Sequence, residues 1–217
     1  MADYALPDAG LEKCTFKLMH SVSAASIGSG LRYNVTETSS PFWMAEIATQ
    51  TYGIDETELG QWTALILKLR GGVGGRFLAR DHFKDKPLAY WSAAAATDVD
   101  AGWDGTAGVS ALTAGGSLSL TDLPDGYVVS VGDRIGLEQT VSSVDRYGYH
   151  EVISGGTASG PGAVTVTVTP FIKTGIFTTS ATARLWKPGA AFIIDPEYDF
   201  PQQPVTGSLS FNGVQRV

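Results

Sequence analysis

Between Pro41 and Trp91 the apolar positions change period twice. Phe42, Met44, Glu46, Ile47 and Ala48 form a strand-like run that ends near Tyr52. Leu59, Trp62, Leu65, Ile66 and Leu69 then recur at intervals of three and four, one stripe of an amphipathic helix. Asp55 fits the N-cap, where a carboxylate accepts from a free backbone N–H, and Glu58 completes a capping box. Lys68 and Arg70 suit the negative end of the helix dipole, and Gly71 with Gly72 stops the helix. Arg76 to Ala79 resumes as a strand. The spacing predicts strand, helix over about 55–70, glycine turn and strand, with the helix lying across a sheet. Asp55, Leu59, Trp62, Ile66, Leu69 and Gly71 are its expected structural anchors.

Elsewhere the pattern is strand-like. Residues 1–13 read as an irregular arm broken by Pro7 and Gly10. Thr15 to Met19 and Leu31, Tyr33, Val35 alternate as strands, with SVSAASIGSG between them as a loop or a long hairpin tip. From Ser92 the chain turns small and glycine-rich, which marks a domain boundary. Tyr127 to Glu138 suggests two short strands joined at Gly132 and Asp133. Val141–Val144 and His150–Ile153 read as strands about a Tyr147-Gly148-Tyr149 turn, and 155–163 as a loop. Val164, Val166 and Val168 alternate with threonines and end at Pro170. Phe192–Ile194 and Ser208–Phe211 are the last strand candidates, and Pro196, Pro201 and Pro204 forbid a long element between them.

The expected fold is therefore mainly β. One domain, residues 1–96 plus 182–217, is sandwich-like and carries the helix. The other, 97–181, is an inserted small antiparallel barrel or sandwich. Twenty-six glycines among 217 residues agree with that class. A single cysteine, Cys14, has no internal partner, which favours a reducing compartment and the role of a small buried hydrophobe. The net charge of −7 comes without any basic cluster, so no nucleic-acid footprint is expected. No apolar run approaches the length of a membrane span, and the N-terminus lacks the pattern of a secretion signal.

Candidate chemistry thins out on inspection. Asp81-His82 and His150-Glu151 are neighbours along the chain, and neighbours in a strand point to opposite faces. One cysteine and three scattered histidines offer no zinc spacing. Arg70 to Arg76 is glycine-rich but follows a helix, whereas phosphate loops precede one. Asp98, Asp100 and Asp104 lack the remaining oxygens of a calcium loop and read as turn acids. The expectation is a non-enzyme with no catalytic, cofactor or metal residues. Trp43, Tyr90, Trp91, Trp103, Tyr147 and Tyr149 leave one rival, a carbohydrate-binding β-module with an aromatic platform.

Several of these features occur together and in order: Phe42-Trp43, the acidic turn into a helix with Trp62, Leu69-Arg70-Gly71-Gly72, Phe77, Asp81 and Pro87. After them come Gly132-Asp133, the Thr/Val strand closed by Pro170, Arg184-Leu185 and Gly207 to Phe211. The arrangement resembles distal tail proteins and other minor tail proteins of long-tailed bacteriophages and related tail-like particles. The resemblance spans most of residues 15–217 and is carried mainly by 42–91. It implies a virion protein of the tail tip, made in the bacterial host cytoplasm. It also implies a homo-oligomeric ring, six subunits in the family, that joins the tail tube protein to the baseplate hub proteins. DNA would pass through the lumen without specific binding. The resemblance supplies no catalytic residues.

Overall fold

The expected helix stripe and the strands around it set the layout of the computed structural model. It describes residues 2–7, 10–26, 33–50, 55–69, 73–160, 162–195 and 209–217. Helix α1 (Glu56–Leu69) begins at a capping box. The Glu58 N–H donates to Asp55 Oδ1 at 2.7 Å, and the Asp55 N–H to Glu58 Oε2 at 3.4 Å. Trp62, Leu65, Ile66 and Leu69 are buried and Leu59 is half-buried, so the stripe faces the sheet. Gly71 and Gly72 lie outside the described residues, but Gly74 N–H donates to the Leu69 carbonyl at 3.0 Å.

The architecture is mainly β and sandwich-like, with this one long helix. A six-stranded sheet contains β1 (Ala2–Ala5), β2 (Leu11–Ser26), β3 (Tyr33–Thr49), β4 (Gly75–Arg80), β13 (Gly189–Ile194) and β14 (Ser210–Gln215). Their order is β1-β4-β13-β14-β3-β2. The sheet curls so that its β2 side meets the chain leaving β4. His82 N–H donates to the Cys14 carbonyl at 3.0 Å, and Phe16 N–H donates to the buried Asp81 carboxylate at 3.2 Å. Cys14, Phe16, Trp43, Ile47, Phe77, Phe192 and Phe211 share its core. Trp62 of α1 meets Phe211 edge-on, with ring centroids 6.4 Å apart.

Between β4 and β13 the chain builds a closed barrel in the order β11-β6-β5-β12-β8-β9. Its strands are β5 (Thr106–Leu112), β6 (Ser117–Thr121), β8 (Arg134–Val141), β9 (Val144–Ser154), β11 (Val164–Thr169) and β12 (Thr182–Arg184). A two-stranded ladder of β7 (Val128–Val129) and β10 (Gly156–Thr157) sits beside it. β12 lies just past the expected boundary at 181/182, yet its register with β5 and β8 makes it a barrel strand. The valines of β11 point inward and are buried, as their alternation with threonine requires.

Three expectations change. The arm 1–13 is not irregular: Ala2–Ala5 pairs in parallel with β4, and β2 already begins at Leu11. Four residues are too few to show a period, and the pairing is secured by the two Arg76–Asp3 bonds of 2.7 and 2.8 Å. Tyr147-Gly148-Tyr149 is not a turn but the middle of β9. The turn falls at Ser142-Ser143, whose φ values of 51° and 63° suit a tight hairpin. Gly148 stands in the strand because a Cβ there would meet His150 Nε2 at 2.9 Å and the Phe177 ring at 3.0 Å. Finally, the strand candidates on either side of Pro41 are one strand, β3; Pro41 falls within an irregularity of the β2–β3 register, where a missing N–H is tolerated.

Two predictions follow from this packing. Trp62→Ala should lower unfolding free energy by about 3–5 kcal/mol, as removal of a large buried aromatic does; urea unfolding of variant and parent measures it. The second concerns His150, which is fully buried in the barrel. Its Nδ1–H donates to the Pro170 carbonyl at 2.7 Å, while Nε2 has no partner among the described residues. Burial lowers its pKa from 6.5 to about 4, against the smaller upward pull of that carbonyl. As pH falls from about 6.5 towards 4, the unfolded chain takes up a proton that the folded chain refuses, so stability is lost across that window. Between pH 7 and 4.5 the parent should lose roughly 2–3 kcal/mol more than His150→Gln, read from urea unfolding at both pH values.

Candidate functional site

The candidate site is a β-ribbon, and its base is the junction between sheet and barrel. Trp43 of β3 is buried, and its indole N–H donates to the Tyr149 carbonyl of β9 at 2.7 Å. The two rings meet edge-on, 5.3 Å apart. The Arg134 guanidinium of β8 lies 4.5 Å from the centre of the Trp43 ring and pairs with Glu151. A cation in this near-dry position is balanced by a carboxylate on one side and a ring face on the other. Burial pushes the Tyr149 phenol well above its ordinary pKa, so it stays neutral beside them.

From this base, β2 and β3 run outward as a ribbon. β14 pairs with β3 only over Met44–Ala48. Beyond Met44, β3 continues to Tyr33 with β2 as its only ladder partner among the described residues. The pairing Met19↔Phe42, Ser21↔Ser39, Val22↔Glu37 and onward to Ser26↔Tyr33 is therefore a two-stranded ribbon whose outer edges are open among the described residues. The half nearer the core is guarded: Lys13 and Lys17 both bond Glu46, at 2.5 and 2.7 Å, and these bonds hold its carboxyl below the usual range. The outer half is richer in serine, threonine and alanine, with Glu37 as its one carboxylate among the described residues. Val22 there is 55% exposed.

The other candidate residues do not assemble into a reaction centre. Asp81 is buried and spends its oxygens on the Phe16 and Phe83 N–H groups, while His82 is exposed. His150 is enclosed in the barrel, and Glu151 points instead to Arg134. Cys14 is buried, and burial with the nearby Asp81 charge pushes its thiol up to about 12, far from a reactive thiolate. Asp98 accepts from the Ala94 and Ala95 N–H groups, and Asp104 from the Thr106 N–H and hydroxyl, so both are turn acids. No group of three or more potential metal ligands occurs among the described residues.

The anchors Asp55, Leu59, Trp62, Ile66 and Leu69 form one capped helix that braces the sheet, but they are not brought to the ribbon. Of the six aromatics that could have formed a platform, Trp43, Trp103 and Tyr149 are buried. Tyr90 stacks on Tyr127, and Tyr147 lies against Arg76. Trp91 alone is widely exposed, at 54%. Sequence reading missed Asp133, a buried carboxylate accepting from the Leu88 and Ser130 N–H groups at 2.7 Å each. Burial raises its pKa against those two bonds. A Gly-Asp pair between two strand candidates was its only signal. In comparisons with known proteins, no family model matches this chain and no curated protein matches it.

Proposed function

We propose that this chain is a structural component of a phage tail tip or baseplate, which assembles into a closed homo-oligomeric ring. In this reading the ring joins the tail tube protein to the baseplate hub proteins and surrounds a channel for DNA. Its work is interface burial and symmetry, not bond chemistry. The ribbon Met19–Ser26 with Tyr33–Phe42 is the observation that carries the reading. A two-stranded ladder is marginal in water by itself, and an open, weakly charged edge is a template for another strand. A neighbouring subunit that paired with it would satisfy both demands, and a head-to-tail contact of that kind closes into a ring when its rotation allows. The ring order of six is taken from the resemblance.

A channel for DNA suits an acidic protein, because a lumen of like sign lets phosphates slide without sticking. The net charge of −7 supports that step. The carbohydrate-module reading draws less support, since of the six aromatics expected to form a platform only Trp91 is widely exposed.

Native mass spectrometry across concentration, with negative-stain imaging alone and with neighbouring tail proteins, should show symmetric rings. Ser23→Pro with Thr36→Pro removes two N–H groups from the ribbon. That double variant should abolish rings while the melting temperature stays within a few degrees of the parent. Glycan binding by a monomer, or assembled particles without a symmetric ring of this chain, would overturn the reading.

A further inference from the structure

A cleft of about 410 Å³ opens where the sheet and the barrel wall meet. Its floor is aliphatic: Leu6, Leu11, Leu78, Ala79 and Ala190. The barrel side is set by Arg184 of β12 and Glu138 of β8, a two-pronged pair with bonds of 2.7 and 3.2 Å. That pair is internally neutral. On the rim stand Arg80 and Lys187, both exposed, and neither makes an ion pair among the described residues. Asp85 lines the cleft as well, a second acid beside Glu138 among the described residues, and its backbone carbonyl accepts from the Lys187 N–H at 2.7 Å. That bond fixes where the Lys187 side chain starts.

Gly189 lines the cleft and lies opposite Arg80 in the β4–β13 ladder, and a Cβ there would meet the Ala79 carbonyl at 3.0 Å and Arg80 Cγ at 3.4 Å. A side chain at Gly189 would therefore press on the strand that carries Arg80.

We propose that this cleft binds a carboxylate carried on a short aliphatic body. The apolar part would lie on the leucine and alanine floor, and the carboxylate would sit between Arg80 and Lys187. Arg80 offers planar two-pronged donors and Lys187 a mobile point charge, a combination that suits a carboxylate. The volume is that of a small-ligand pocket, here with an apolar floor under a rim of charged side chains. Two sources share this chemistry: a free aliphatic acid, and the C-terminal residue of a partner chain. The inference does not rest on ring assembly, since both walls belong to one chain.

The test is titration of the isotope-labelled full chain, followed by amide shifts. Sodium hexanoate should shift Leu78, Ala79 and Ala190 saturably, with a dissociation constant in the millimolar range expected of so small a ligand. The alcohol 1-hexanol, of equal length and no charge, should leave them unmoved. Arg80→Gln with Lys187→Gln should weaken hexanoate binding at least tenfold while the spectrum stays dispersed; each single variant should weaken it severalfold if the double variant misfolds. A peptide acetyl-Gly-Ser-Leu with a free carboxylate, against its amide, separates the sources. Tighter binding of the peptide acid names a chain end, and binding of hexanoate alone names a free acid. Equal shifts with 1-hexanol, unchanged binding by the variants, or no saturable shift with either acid would overturn the proposal.

Discussion

The indole of Trp43 holds the two halves of this protein in register. It comes from the middle of the long strand β3, yet its N–H is satisfied by the Tyr149 carbonyl of the barrel strand β9. Arg134 then lies over the same ring with Glu151 beside it. A buried indole N–H without an acceptor would cost about 1–3 kcal/mol, so the bond is an obligation on the geometry more than a source of stability. It forces β9 to cross the sheet at one height, which also places Tyr149 edge-on to Phe16. Phe192 and Phe77 continue the same contact chain to Phe211 and Trp62. The helix, the sheet and the barrel are thus linked by an unbroken series of aromatic contacts.

Curling the sheet around that aromatic series needs space and a clasp. Gly213 gives the space: a Cβ there would come within 2.3 Å of the Phe77 ring. Asp81 is the clasp. Its carboxylate receives the Phe16 N–H from the opposite sheet margin and the Phe83 N–H from its own turn. Two backbone donors on a charged acceptor offset the cost of burying it. With one margin clasped near its base, β2 and β3 beyond Met44 pair only with each other among the described residues. The exposed ribbon is therefore a geometric result of how tightly the core beneath it is wound.

The helix was legible because its signals agree across levels: a capping box, a stripe at three and four, and Trp62 on the stripe. The Thr/Val strand β11 was legible because alternation over six residues has one reading. What failed to show was set by partners distant in sequence. Ala2–Ala5 is a strand only because β4 accepts it, and Thr106–Leu112 is one because β6 and β12 flank it. Tyr147-Gly148-Tyr149 has the composition of a turn, yet Phe177 and His150 demand a residue without Cβ inside a strand. The cleft left no local mark at all. Its lining comes from seven strands and the loops beside them, and no stretch of sequence holds more than a few of its residues.

The barrel leaves and rejoins the sheet at one point. Arg80 is the last residue of β4, Gly189 the first of β13, and the two are paired across the ladder. A chain entering and leaving through adjacent partners strains the host sheet very little, however much lies between them. The loop-closure entropy for such an excursion grows only with the logarithm of its length. The ladder would be equally well served by a hairpin turn of a few residues. In evolutionary terms the position is a socket with one condition attached. The β4–β13 ladder sets no limit on what is inserted, but any plug must also return an acceptor to the Trp43 indole, as Tyr149 does.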